Sequence, residues 1–202
     1  MTSAENPAMA TPVGGLQVAE ELASQPEVWA RATGLVDERS ALPAAGSRVA
    51  VVGCGTSWFM AQCYAALRES GGNGVTDAFT ASEAFLDRDY DAVVAITRSG
   101  TTTEVLELLA GIRAGVRGRP HTIGIVGDPN TPLAGLVDDL IAFPFADEQS
   151  VVQTRFATTA LAALRASLGF VARPQSAGIE STTLTTRELW PRQRHLRRPR
   201  VI

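Results

Sequence analysis

The sequence predicts a parallel, doubly wound α/β sandwich, three layers (α/β/α) around a five-stranded sheet. Three observations carry this. Five short apolar runs recur between amphipathic stretches. The runs are apolar at consecutive positions, as strands buried on both faces require. Two of them end in Gly/Ser/Thr-rich turns that open directly into helical patterns, the βα connection of such folds.

The elements follow in order. Residues 1–14 are small and polar with two prolines, the composition of a disordered start. Gln17 to Thr33 predicts two helical pieces broken at Pro26, with Val18, Leu22, Val28 and Trp29 facing the domain or a partner chain. Leu42 to Ser47, holding Pro43 and Gly46, reads as a linker. Arg48 to Val52 predicts a strand, Gly53-Cys54-Gly55-Thr56-Ser57 a turn, and Trp58 to Glu69 a helix with Met60, Tyr64 and Leu67 on one face. Gly71 to Gly74 ends it. Val75 to Phe79 predicts a strand, Ala81 to Leu86 a helix, Ala92 to Ile96 a strand, and Thr102 to Ala114 a helix. Thr122 to Val126 predicts the fourth strand, and Thr131 to Val137 a short helix with Pro132 early, where proline is tolerated. Leu140 to Phe143 is the last strand. Gln149 to Leu168 predicts a long helix with Val152, Phe156, Ala160, Leu161 and Leu164 on one stripe.

The division expected is an N-terminal helical extension and linker over 1–47, a main domain over 48–170, and an Arg-rich irregular tail over 171–202. Residues 181–202 hold six arginines against Glu188 alone. Two readings of the tail stay open: a basic irregular tail, or genuine sequence lost to truncation or frameshift. A basic arm for nucleic acid fits poorly, because the arginines lack aromatic interleaving and the chain's net charge is −3. All 18 basic residues are arginine, read as the coding bias of a GC-rich genome, so no lysine can form a Schiff base. Cys54 and Cys63 make neither a disulfide framework nor a four-ligand metal site, and read as packed thiols. No apolar run approaches the roughly 18 residues of a membrane span, and no secretory signal opens the chain. A soluble cytoplasmic protein without metal, cofactor, membrane or nucleic-acid partner is expected.

The chemistry concentrates in Thr97-Arg98-Ser99-Gly100-Thr101-Thr102, between a buried strand and a helix. The first amides of a helix lack internal partners and the helix dipole favours an anion there, so this is a phosphate trap. The hydroxyls add donors, and Gly100 lets the backbone come close. The turn Gly53–Ser57 superficially resembles a dinucleotide-binding turn, but the third glycine of that fingerprint would fall at Trp58. Thr56 and Ser57 suit polar ligand recognition there; simple capping of the following helix is the plainer reading. The two turns follow strands one and three, where ligands sit in such sheets. A third element, Glu148 to Phe156, opens the last helix. Glu148 there suits the helix dipole, while Ser150, Val151 and Gln153 would close over a ligand from the side. Glu83 is a weak candidate for a general base, and Glu104 reads as a first-turn acid.

Gly-Cys-Gly-Thr-Ser, Ala81-Ser82-Glu83, Thr-Arg-Ser-Gly-Thr-Thr and Glu-x-Ser-Val-x-x-Thr-Arg together resemble the sugar isomerase (SIS) domain family. That domain occurs in the isomerase half of glucosamine-6-phosphate synthase and in tagatose- and galactosamine-6-phosphate-type ketose/aldose isomerases and deaminases. Glu20-Glu21-Leu22-x-x-Gln25-Pro26 is similar to the Glu-x-x-x-Gln-Pro helix that precedes it. The resemblance spans about residues 17 to 170. It implies a flavodoxin-like SIS fold and a phosphosugar-binding domain over 48–170, with Gly55, Thr56, Ser57, Thr97, Arg98, Ser99, Gly100, Thr101, Thr102, Ser150, Val151 and Gln153 around the ligand. Arg98 stands where the synthase has glutamine, and resembles the deaminase/isomerase branch. The family's catalytic glutamate, ring-opening histidine and Schiff-base lysine come from a second half or a partner subunit and have no match here. His121 reads as a strand-end residue, and His195 lies in the tail. The implied function is binding of a hexose or amino-sugar 6-phosphate in an isomerase or deaminase lineage, as a single-SIS form and a homodimer. The alternative is a non-catalytic sugar-phosphate sensor.

Overall fold

The computed structural model describes residues 13–36, 41–115 and 119–170. Most of the N-terminal polar stretch and the whole Arg-rich tail, with His195, lie outside the described residues.

The element order is α1 (Val13–Val36), β1 (Val49–Gly53), α2 (Thr56–Ser70), β2 (Thr76–Thr80), β3 (Ala92–Thr97), α3 (Thr103–Arg113), β4 (His121–Val126), β5 (Asp139–Ala142) and α4 (Arg155–Ala166). Three 3₁₀ turns, Ala81–Glu83, Pro132–Gly135 and Pro144–Ala146, fill the connections. The five strands form one all-parallel sheet in the order β2-β1-β3-β4-β5. The chain direction around the sheet therefore reverses between β1 and β3, which creates a crevice at their carboxyl ends.

The strands are apolar on both faces because both faces are covered. Val49, Val51, Val94, Ile96, Ile123 and Ile125 point to one core, which α2, α4 and the second half of α1 close with Tyr64, Phe156, Leu164 and Val28. Ala50, Val52, Val93 and Ala95 point to the other, closed by Val105, Leu108, Leu109 and Ile112 of α3. The connections after β2 and β4 finish that second layer with Leu86, Tyr90, Leu133 and Val137. This is the three-layer sandwich the sequence predicts.

Four expectations are corrected. Val13 and Gly14 already belong to α1, and α1 runs through Pro26 as one helix. Each half is anchored separately: Val28 and Ala32 enter the core, and Trp29 Nε1 donates to Thr158 Oγ1 at 3.0 Å. Glu21 is tied elsewhere in the fold, as described below. These contacts outweigh the hydrogen bond that proline removes. The stripe expected to face a partner is mostly used internally, since α1 packs on α4; of its larger members only Leu22 stays exposed.

The helix expected over 81–86 is only the 3₁₀ turn Ala81–Glu83, with Ala84 and Leu86 still reaching the core. The helix expected over 131–137 is likewise a single 3₁₀ turn, Pro132–Gly135. The last helix starts at Arg155 rather than Gln149. The Glu148 carboxylate explains this: it accepts from the amides of Thr154 and Arg155 at 2.8 Å each and of Phe156 at 3.3 Å. It thereby caps α4 from across a bent segment. Val152 is consequently exposed instead of lying on the core stripe, whereas Phe156, Ala160 and Leu164 are buried.

Candidate functional site

The turns after β1 and β3 meet at the switch point. Gly53 pairs with Ile96, so both chains leave the sheet at the same level. Glycine is required at Gly53, because a Cβ would lie 2.7 Å from the Ser57 carbonyl carbon. Thr97 pairs with Val126 of β4, and past the strand ends the Gly127 amide still donates to the Arg98 carbonyl at 2.9 Å. Gly100 has φ 61, and a Cβ there would fall 2.1 Å from Thr131 Oγ1. The loop after β4 thus supports the turn after β3 from behind.

The capping reading of these turns does not hold for the side chains. The N-cap of α2 is Gly55, which has no side chain to offer, and the N-cap Thr102 of α3 makes no cap bond. Thr102 Oγ1 instead lies 3.0 Å from the buried Thr97 Oγ1. Thr101 donates to Ser99 Oγ with its hydroxyl at 2.9 Å and its amide at 3.3 Å. Two helix starts, both electropositive, therefore face the crevice with their hydroxyls bonded only among themselves.

The segment before α4 supplies the third wall. Arg98 Nη1 donates to the Ser150 carbonyl at 2.8 Å, and Ser57 Oγ approaches Gln153 Oε1 at 3.5 Å. Ser57 and Ser150 are buried, Arg98 and Gln153 half-buried. Val151 is 95% exposed, so its side chain does not fold over the crevice in this state.

The remaining candidates separate cleanly. Glu83 is exposed on the turn after the edge strand β2, and Glu104 sits in the first turn of α3. Glu148 is spent as the α4 cap. Burial raises the Cys54 thiol above its ordinary range, with Glu104 adding to the rise, and burial raises Cys63 as well; both are packed thiols, not activated nucleophiles. His121 starts β4 at the amino edge of the sheet, opposite the crevice, and bonds Asp139 Oδ2 at 2.7 Å.

Two features escaped the sequence reading. One is Thr131, which the turn Gly127–Asn130 at the same sheet edge signals. The other is Glu21, buried on α1, whose Oε1 accepts from the amides of Gln149 at 2.8 Å and Ser150 at 3.2 Å. Its signal was the Glu-x-x-x-Gln-Pro pattern.

The SIS domain model matches residues 44–168, so the chain belongs to the SIS domain family. Among solved structures it is similar to tagatose-6-phosphate ketose/aldose isomerase from Escherichia coli, with 21% identity, TM-score 0.64, and coverage of 81% of this chain and 50% of that one. It is also similar to the C-terminal domain of glucosamine-fructose-6-phosphate aminotransferase from Francisella tularensis, at 22% identity and TM-score 0.57, covering 76% of this chain and 46% of that one. A third is the E. coli CFT073 protein c3406, solved in complex with a phosphosugar, at 17% identity and TM-score 0.58, covering 79% of this chain and 90% of that one. At these identities the likeness is one of fold. The chain spans about half the length of the first two. No curated protein matches the sequence. Among the described residues, no helix is long and apolar enough to cross a membrane.

Proposed function

We propose that the crevice binds a sugar phosphate, a hexose or amino-sugar 6-phosphate, within an aldose/ketose isomerase or deaminase lineage. One observation carries the reading: two uncapped helix starts and the Arg98 guanidinium converge at the switch point, and none of the hydrogen bonds described among their side chains involves a carboxylate. Such a site carries positive potential and donors with no competing anion. Ser57, Thr97, Arg98, Ser99, Gly100, Thr101 and Thr102 hold the phosphate in this reading. Gly55, Thr56, Ser150, Val151 and Gln153 frame the sugar. The phosphosugar bound by the c3406 neighbour is consistent with it.

Thermal stability against fructose 6-phosphate and glucosamine 6-phosphate, with the free sugars as controls, tests this. A ligand at about 100 times its Kd adds roughly 2.7 kcal/mol. A shift with the phosphates alone supports the reading; no shift with either overturns it.

A sensor without turnover is the second reading. It is favoured by the exposed, unengaged placement of Glu83 and by the use of Glu148 as a cap. Isomerisation assayed on the same ligands separates the two: binding without turnover selects the sensor. Homodimerisation belongs to the same proposal. It draws support from exposed Leu22, Val151 and Val152, which flank the Glu21 contacts to the segment before α4. A monodisperse monomer in light scattering removes that part.

A further inference from the structure

We propose that Glu21 is a positioning residue for the phosphate site, acting from α1 through Ser150 on Arg98. The proposal rests on the phosphosugar reading above.

Glu21 is 5% exposed, and a buried carboxylate is costly unless its oxygens are bonded. Its Oε1 takes the amides of two consecutive residues, Gln149 and Ser150, across 128 and 129 residues of chain. Two donors on one oxygen fix the course of the backbone at Ser150. The carbonyl of that same Ser150 then accepts from Arg98. One residue thus carries the contact from Glu21 to the guanidinium.

Nothing apolar does this job. Val151 is 95% and Val152 65% exposed, so the segment has no hydrophobic anchor of its own. Its path is held by Glu21 at one end and by the Glu148 cap and Gln153 at the other. Glu148 cannot replace Glu21, since both its oxygens are engaged by the amides of α4. Glu21 Oε2 and Ser150 Oγ are buried without hydrogen-bond partners, so the cluster keeps one unused acceptor and one unused donor beside the contact. Arg155, whose Nη1 donates to Ser24 Oγ at 3.2 Å, adds positive charge near the carboxylate. A helix with no phosphate contact of its own therefore sets the aim of the one arginine at the site.

The experiment has two arms. In the ligand-free protein, Glu21→Ala raises amide hydrogen exchange over residues 149–154 by about tenfold or more. Glu21→Gln keeps an acceptor oxygen and keeps the protection. Unchanged exchange in Glu21→Ala overturns the proposal and leaves the phosphosugar reading intact. In the second arm, with fructose 6-phosphate as probe, Glu21→Ala weakens binding about tenfold in the otherwise native chain and less than twofold on an Arg98→Ala background. Equal losses on both backgrounds mean general damage and overturn it. A native chain that binds no sugar phosphate defeats the phosphosugar reading, and the role at Arg98 with it. Should Glu21→Ala not fold, Glu21→Asp, one methylene short, takes its place in both arms.

Discussion

The Arg98 guanidinium donates to the Ser150 carbonyl at 2.8 Å, across 52 residues of chain. This contact joins the turn after β3 to the segment before α4, and the partner is neutral. A carboxylate there would have cancelled the charge; a carbonyl orients the guanidinium and leaves its charge and remaining donors for an anion.

Arg98→Ala is therefore expected to weaken fructose 6-phosphate binding by roughly 10- to 100-fold, the 1.5–3 kcal/mol of a charge-assisted bond. Titration calorimetry measures it. Arg98→Lys restores the charge but not the planar fork and recovers only part of the loss. Native affinity in Arg98→Ala removes Arg98 from the site.

Gly100 and Gly55 both have positive φ, 61 and 56, yet they differ in surroundings. A Cβ on Gly100 would fall 2.1 Å from Thr131 Oγ1, whereas one on Gly55 meets nothing within 4 Å. Gly55→Ala costs only the left-handed backbone penalty, about 1–2 kcal/mol. Gly100→Ala adds a steric clash of roughly 1–3 kcal/mol to that penalty. Urea denaturation of the two variants checks the ranking; equal losses contradict it.

Arg68 is the largest fully buried side chain and has no acid among its hydrogen-bond partners. Its donors go to Thr76 Oγ1 and to the carbonyls of Pro43, Ala44, Ser47 and Asn73, stitching the loop before β1 to the end of α2. Arg68→Met leaves those carbonyls unpaired and is expected to cost about 3–5 kcal/mol of stability. Fructose 6-phosphate affinity of the folded fraction stays unchanged, because Arg68 lies at the amino edge of the sheet. Chemical denaturation and calorimetry together test the pair of statements.

Two groups give pH dependence of opposite sign. Burial by itself raises the Glu21 carboxyl, but the nearby Ser150 hydroxyl, the amides of Gln149 and Ser150, and Arg155 outweigh it, and the net shift is downward from 4.5. The unfolded chain then binds more protons, so this stabilisation is complete above that value and is lost as pH falls through the folded one. Tyr90 is pushed up to about 12, first by burial and then by its bond to Asp77. There the folded chain holds the extra proton, so the stabilisation is complete below 10 and lost as pH rises toward 12. Glu21→Gln should flatten the acid limb of the stability profile and Tyr90→Phe the alkaline limb. A limb that keeps its slope in the matching variant refutes that assignment.

Much of this is legible in the sequence. Val49 to Val52, Ala92 to Ile96 and Thr122 to Val126 announce strands because a parallel sheet buries both faces and leaves no polar alternation. The Gly/Ser/Thr turns announce their place because helix starts after strands one and three must open at the carboxyl edge. The helices are harder where distant groups decide them. Pro26 reads as a break, yet packing of α1 on α4 overrides it. Gln149 to Thr154 reads as helical, yet the Glu148 carboxylate claims the amides from which α4 then starts. Nothing around Arg68 in the sequence marks it as buried, because its acceptors come from the loop before β1 and the stretch after α2.

The order of amino acids is enough to dictate the sheet, its two ligand-facing turns and the residue types that suit a phosphate, since these depend on burial and on chemistry within a few neighbouring residues. It takes the packed molecule to bring Arg98 to Ser150, to set Glu21 against the Ser150 amide, and to turn Glu148 into a cap. Each of these is a hydrogen bond whose partner is chosen by the packing of elements, and several of the partners are far apart along the chain.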